Sequence, residues 1–166
     1  MTVEKNMAQQ QTAGLRQFLP WRAALMAVLL ALALPAWAAL GEQQTSIQAD
    51  QAHMRAALRI INAGTHTVHE LQTPNGPTVR EYVSASGKVF AIAWQGPSHP
   101  DFRQLLGSYY DQFQQALAQR ERRGHGPVNI QLPGLVFQSG GHMGALSGRA
   151  YLPDQLPAGL RAESIR

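Results

Sequence analysis

The sequence predicts an α+β domain: an antiparallel sheet of five to six strands, packed by one long amphipathic helix (102–123) and a shorter N-terminal helix (46–62). Three observations predict it. Apolar residues recur at helical spacing in those two segments, they alternate with period two in the segments between and after them, and the strand-like segments follow one another through short turns. Strands grouped in runs favour α+β over an alternating α/β order.

In the first helix Ile47, Met54, Leu58 and Ile61 lie at near-helical spacing. Thr45 and Gln48 form a capping-box pattern, and Gly64 supplies a stop. Ile60 and Ile61 are β-branched and also suit the start of a strand. Segments 65–71, 78–83 and 88–94 follow, separated by Pro74-Asn75-Gly76-Pro77 and Ser84-Ala85-Ser86-Gly87, and read as a three-stranded meander. A six-residue turn over 72–77 would set His69 opposite Arg80 and Glu70 opposite Val79. In the third strand Val89, Ala91 and Ala93 point one way and Phe90, Ile92 and Trp94 the other, so that strand is expected to be covered on both faces.

Ser98-His99-Pro100-Asp101 starts the long helix, with proline in the first turn and an acid at the positive end of the dipole. Its apolar stripe is Phe102, Leu105, Leu106, Tyr109, Phe113, Ala116 and Leu117; Arg103, Gln104, Ser108, Asp111, Gln112 and Gln115 are placed on the polar face. Arg120, Arg122 and Arg123 complement its C-terminal end before Gly124. Alternation then returns at Val128, Ile130 and Leu132. Pro133-Gly134 turns the chain into Leu135-Val136-Phe137-Gln138, and Ser139-Gly140-Gly141 is expected to turn it again into a glycine-rich strand over 142–152. The remainder reads as loosely held, with a flexible tail at 160–166 after a domain spanning 39–159.

The first 38 residues stand apart. Lys5, Arg16 and Arg22 precede the apolar run 23–34, which is followed by Pro35 and the small-residue pattern Ala36-Trp37-Ala38. This is the layout of a secretory signal peptide, with cleavage expected after Ala38. An uncleaved anchor would need the run to extend across Pro35 to Leu40, because spanning requires about 20 apolar residues. Cleavage leaves 128 residues, sufficient for a core without disulfides, and the chain has no cysteine. The leader carries three of the 14 basic residues and one of the ten acidic ones, so the remainder has a net charge of only +2. The basic character of the full chain is therefore no nucleic-acid footprint, and none is expected as a partner.

Several blocks carry a family resemblance: Val68-His69-Glu70, Val79-Arg80-Glu81-Tyr82, Gly87-Lys88-Val89-Phe90, Trp94-Gln95-Gly96-Pro97, Pro100-Asp101, Leu105-Leu106-Gly107, Gly140-Gly141-His142-Met143 and Gly148-Arg149-Ala150-Tyr151-Leu152-Pro153. In this order they resemble domain-of-unknown-function family 2844, small exported proteins of mainly proteobacterial origin, over about 39–159. The resemblance implies a periplasmic or secreted location and transfers no activity. Gly144 departs from the larger or basic residue expected after Gly-His-Met.

Six histidines raise the question of a metal, above all His66 and His69. On a strand a separation of three sends their rings to opposite faces, so no metal site is expected. Ser139 beside His142, with Glu70, Glu81 or Asp101, raises nucleophilic catalysis, but the first glycine of a nucleophile elbow is missing. Gly140, Gly141, Gly144 and Gly148 are not followed by Lys-Ser/Thr, which excludes a P-loop; no cofactor is expected. Strand glycines of this kind mark close approach of another group, here the Tyr109/Tyr110 helix or a ligand.

The binding candidates are Arg149, His142, Trp94, Arg80, Glu81 and His69. Arg149 leads for an anion, because a guanidinium offers paired hydrogen bonds. Trp94 reads first as a core lid and second as a stacking platform. The favoured function is a non-catalytic envelope or secreted module that binds a ligand or another envelope protein and meets the membrane only transiently, through its signal peptide. The alternative is a small periplasmic hydrolase using His142 or His69 with a carboxylate. It requires His142, His69, Glu81 and Ser139 to converge.

Overall fold

The computed structural model describes residues 40–120 and 126–166. The expected signal peptide with its cleavage point, and residues 121–124 at the expected helix end, lie outside the described residues; the helix expected to run to 123 stops at Ala118. A 3-10 turn (Gln44–Ser46) leads into α1 (Ile47–Met54). Then come β1 (Ala57–Asn62), β2 (His66–Gln72), β3 (Thr78–Ser84) and β4 (Val89–Gly96). Helix α2 (Phe102–Leu106), a 3-10 turn (Gly107–Tyr109) and α3 (Tyr110–Ala118) precede β5 (Val128–Leu132), β6 (Leu135–His142) and β7 (Ala145–Tyr151). The architecture is α+β, with one antiparallel sheet of seven strands in the order β1-β2-β3-β4-β7-β6-β5. Pairing of β4 with β7 joins the first meander to the C-terminal one.

The expected 46–62 helix is half that length. Arg55 adopts a left-handed conformation (φ 49°) that ends α1, and the β-branched Ile60 and Ile61 pair with His69 and Val68 as part of a seventh strand. The expected 102–123 helix is broken at Gly107, whose φ of 50° and ψ of −119° no helix accommodates. Its start is as expected: the Asp101 carboxylate accepts from the backbone N–H groups of Arg103 (2.9 Å) and Gln104 (3.3 Å). Asp101→Ala is expected to cost about 1 kcal/mol, read as a lower urea midpoint with unchanged slope.

The β2–β3 turn is one residue tighter than expected. Thr73 Oγ1 donates to the Pro77 carbonyl (2.6 Å) and Asn75 takes a φ of 58°, so Gln72 already pairs with Thr78. His69 therefore faces Glu81, and Glu70 faces Arg80. Ser139-Gly140-Gly141 does not turn the chain but continues β6. The hairpin tip is Met143-Gly144, with Gly144 at φ 84°, a conformation that disfavours the side chain the family resemblance led one to expect there.

Strand β4 is buried from Val89 to Trp94, as the apolar pattern on both its faces predicts. A bulge pairs Val83 with Val89 and Tyr82 with Ala91, leaving Phe90 without a partner and turning Val89 to the same side as Ile92 and Trp94. This inner face packs against the helices, through Ile47, Leu105, Leu106 and Phe113. The outer face, with Val68, Tyr82, Phe90, Ala91 and Ala93, is covered by the end of the chain. Residues 160–166, expected as a flexible tail, bury Ile165, and the Tyr82 hydroxyl donates to the Arg166 carbonyl (2.9 Å) while accepting from its N–H (3.1 Å). The sheet has a second apolar face, and this segment closes it.

Candidate functional site

Register places one row of residues across the inner face: Ile60, His69, Glu81, Ile92, Ala150, Phe137 and Ile130. Glu81 is the one acid in that row, and it sits in the core. Over it lie Asp50 of α1 and Gln104 of α2, so three polar side chains from three elements meet in the interior. Asp50 and Glu81 are each 1% exposed and Gln104 7%. Gln104 Nε2 donates to Asp50 Oδ1, and the Asp50 and Glu81 carboxyls are in hydrogen-bond contact.

Two carboxyls in contact cannot both ionise cheaply in an apolar interior. Burial raises Asp50 to about 6, against the opposing pull of its hydrogen bonds to Glu81 and Gln104. Glu81 is held well above the usual carboxylate range, by burial first and then by the Asp50 charge. The pair is therefore favoured with a proton held between its carboxyls, and the Gln104 amide supports the charge left on Asp50. Asp50 Oδ2, Glu81 Oε1 and Gln104 Oε1 have no hydrogen-bond partner. His69, across from Glu81, makes only a 3.4 Å contact from Nε2 to Thr67 Oγ1; its Nδ1 has no partner, and burial lowers its pKa. Such a pair can store a proton, but neither carboxyl lines any of the surface grooves described below.

The other candidates lie elsewhere. Trp94 is 2% exposed, with its ring 4.9 Å from Phe102 and 5.2 Å from Phe137. It covers Gly148, where a Cβ would fall 2.7 Å from Trp94 Cε2. Trp94, not Tyr109 or Tyr110, therefore explains that glycine. On the outer face Arg80 Nε donates to Glu70 (2.7 Å), a partly exposed cross-strand ion pair. Arg149 is engaged by the chain itself: Nε donates to Gln138 Oε1 (2.8 Å), and Nη1 to the carbonyls of Ala162 (2.6 Å) and Ile165 (3.5 Å). The proposed anion ligand is thus replaced by the carbonyls of the docked C-terminal segment. Arg149 also lines a shallow groove of about 400 Å³ beside Gln138 and Arg166.

His142 and Ser139 face a larger groove of about 650 Å³, with His99, Val128, Met143 and Leu146. Strands β3 and β6 are three positions apart in the sheet, about 14 Å at the usual strand spacing. Glu81 and His69 come together; His142 and Ser139 come together; the two pairs do not meet. Among the described residues no group of three or more His, Cys, Asp or Glu is placed to hold a metal, and no helix is long and apolar enough to cross a membrane.

Asp50 and Gln104 were not among the candidates. Asp50 had one legible signal: it lies three residues after Ile47, on the apolar stripe of its own helix, where an acid needs a partner. Gln104 had none, because it alternates with the stripe as a surface residue does.

Neither a curated protein nor a solved structure matches this chain. A family profile described as protein of unknown function (DUF2844) matches residues 36–165, nearly the whole of the fold and every residue of both candidate pairs, and the chain belongs to that family.

Proposed function

We propose that this protein is an exported, non-catalytic binding module that takes a ligand in the groove beside its glycine-rich β6–β7 hairpin. One observation carries the reading. The largest of these grooves, about 650 Å³, is built from half-buried Gly140, exposed Gly141 and apolar Val128, Met143 and Leu146, and Met143 is 97% exposed. A concave site with an apolar lining and a few polar groups, here Ser139, His99 and His142, suits a small ligand or an extended chain. The separation of Glu81 and His69 from Ser139 and His142 supports binding over hydrolysis.

Export rests on the leader pattern. Native mass spectrometry of protein purified from the periplasm tests both parts. The expected mass begins at Ala39 and carries an adduct that Ser139→Trp, a substitution that fills the groove, removes without changing the circular dichroism spectrum. An intact leader would sink the export claim. A bare monomer, or an adduct that survives Ser139→Trp, would sink the groove.

A further inference from the structure

Strand β1 is the edge of the sheet, paired on one side only, with β2. Every residue from Arg59 to Asn62 is exposed, whichever face its side chain is on. Ile60 is 59% exposed and Ile61 37%, the exposed large apolar side chains among the described residues apart from Met143. Edge strands are ordinarily protected by Lys, Pro, a bulge or shortness. This one has no Lys, Pro or bulge, and its one charged side chain is Arg59; it holds six consecutive register pairs and contains β-branched residues at its centre.

The charge pattern says what would pair with it. On the outer face Arg59, Glu70 and Arg80 form one row across β1, β2 and β3. Glu70 is engaged by Arg80 at 2.7 Å, and among the described residues Arg59 makes no ion pair. A further strand would continue the row with an acid. The same strand would set apolar side chains against Leu58 and Ile60 on the inner face and against Ile61 on the outer one.

We propose that β1 is a strand-addition site for an extended peptide segment of the pattern apolar–apolar–acidic–apolar, added antiparallel with its acid opposite Arg59. Main-chain hydrogen bonds along the open edge supply the attachment, and the alternating side chains supply the selection. A second copy of this chain fits less well. An antiparallel two-fold centred on Ile60 brings the two Arg59 side chains to diagonal positions, and one centred on Arg59 sets them directly opposite, where like charges repel. The site is distinct from the β6–β7 groove and does not depend on it.

The test uses the isotope-labelled purified protein and two eight-residue peptides that share an Ile-Val-X-Val centre, with X either Glu or Lys. Amide shifts confined to β1 and β2 are expected, with the Glu peptide bound roughly fivefold more tightly. Arg59→Glu, an exposed substitution, is expected to reverse that order. Binding of neither peptide at millimolar concentration would overturn the proposal. So would shifts confined to 139–147, which would support the groove instead, or a preference that Arg59→Glu leaves unchanged. Self-association through β1 without peptide would overturn it in favour of a second copy.

Discussion

Glu81→Gln is expected to stabilise this protein at pH 8 and to flatten its stability between about pH 4 and pH 7. In the native protein both carboxyls of the Asp50–Glu81 pair titrate above their ordinary values: Asp50 from 3.8 to about 6, and Glu81 well above the usual carboxylate range, because burial and the Asp50 charge oppose its ionisation. The folded state then holds more protons than the unfolded one in that range, so stability falls as pH rises. The contribution is fully present below the unfolded values, near pH 4, and is lost as pH passes through the folded ones. For Asp50 alone the shift corresponds to about 3 kcal/mol. A glutamine at 81 keeps the shape and a donor for Asp50 while removing one ionisation, and its gain at pH 8 is expected at roughly 1–3 kcal/mol. Asp50→Ala, in contrast, strands Glu81 and Gln104 and is expected to cost about 2–3 kcal/mol near pH 4, a penalty that shrinks as pH rises because the variant also loses the Asp50 titration. Urea midpoints at pH 4.5, 6 and 8 decide the matter. Parallel pH profiles for the native protein and Glu81→Gln would show that the two carboxyls share no proton.

Trp94→Ala is expected to cost about 3–5 kcal/mol, a large fraction of the stability of a domain this size. The indole is packed among Phe102 and Phe137 and fills the space over Gly148 that a side chain would otherwise take. Gly148→Ala is expected to cost about 2–3 kcal/mol, because its Cβ would meet Trp94 Cε2 at 2.7 Å and the Gln138 carbonyl at 2.5 Å. The two penalties should not add. In the Trp94→Ala background the ring is gone, and Gly148→Ala should become cheaper by at least about 1 kcal/mol. Full additivity in denaturant midpoints would mean that Gly148 is required for some reason other than the indole, such as close approach of a ligand.

Most of the element pattern was legible along the chain. The strands at 78–83 and 88–94, the Asp101 start and the Pro133-Gly134 turn each act through neighbours within a few residues, and each appears where it is expected, although a bulge reverses the faces of Val89 and Phe90. The misreadings lie where two local preferences compete. Residues 57–62 satisfy a helical stripe and a β-branched strand alike, and pairing with β2 settled the choice. Gly107 reads as one residue within an unbroken stripe until its φ of 50° ends the helix.

The candidate site was legible in part, and for a physical reason. Glu81 and His69 could be singled out by residue type, but the one-residue difference in the 72–77 turn decided that they share a row. That row faces the core: Glu81 is buried with Asp50, while the Glu70–Arg80 pair stands on the outer face. Arg149 was legible as a cation; that its guanidinium is held by the carbonyls of residues 162 and 165 depends on where the chain end docks. Short-range chemistry, which operates through adjacent dihedrals and caps, therefore determined the α+β class, the Pro133-Gly134 turn and the helix starts from the residues alone. The shared proton of residues 50 and 81, supported from 104, and the second covered face of the sheet were decided only by tertiary packing, because their partners are separated by 31 to 84 residues and no local pattern encodes which distant face a side chain will meet.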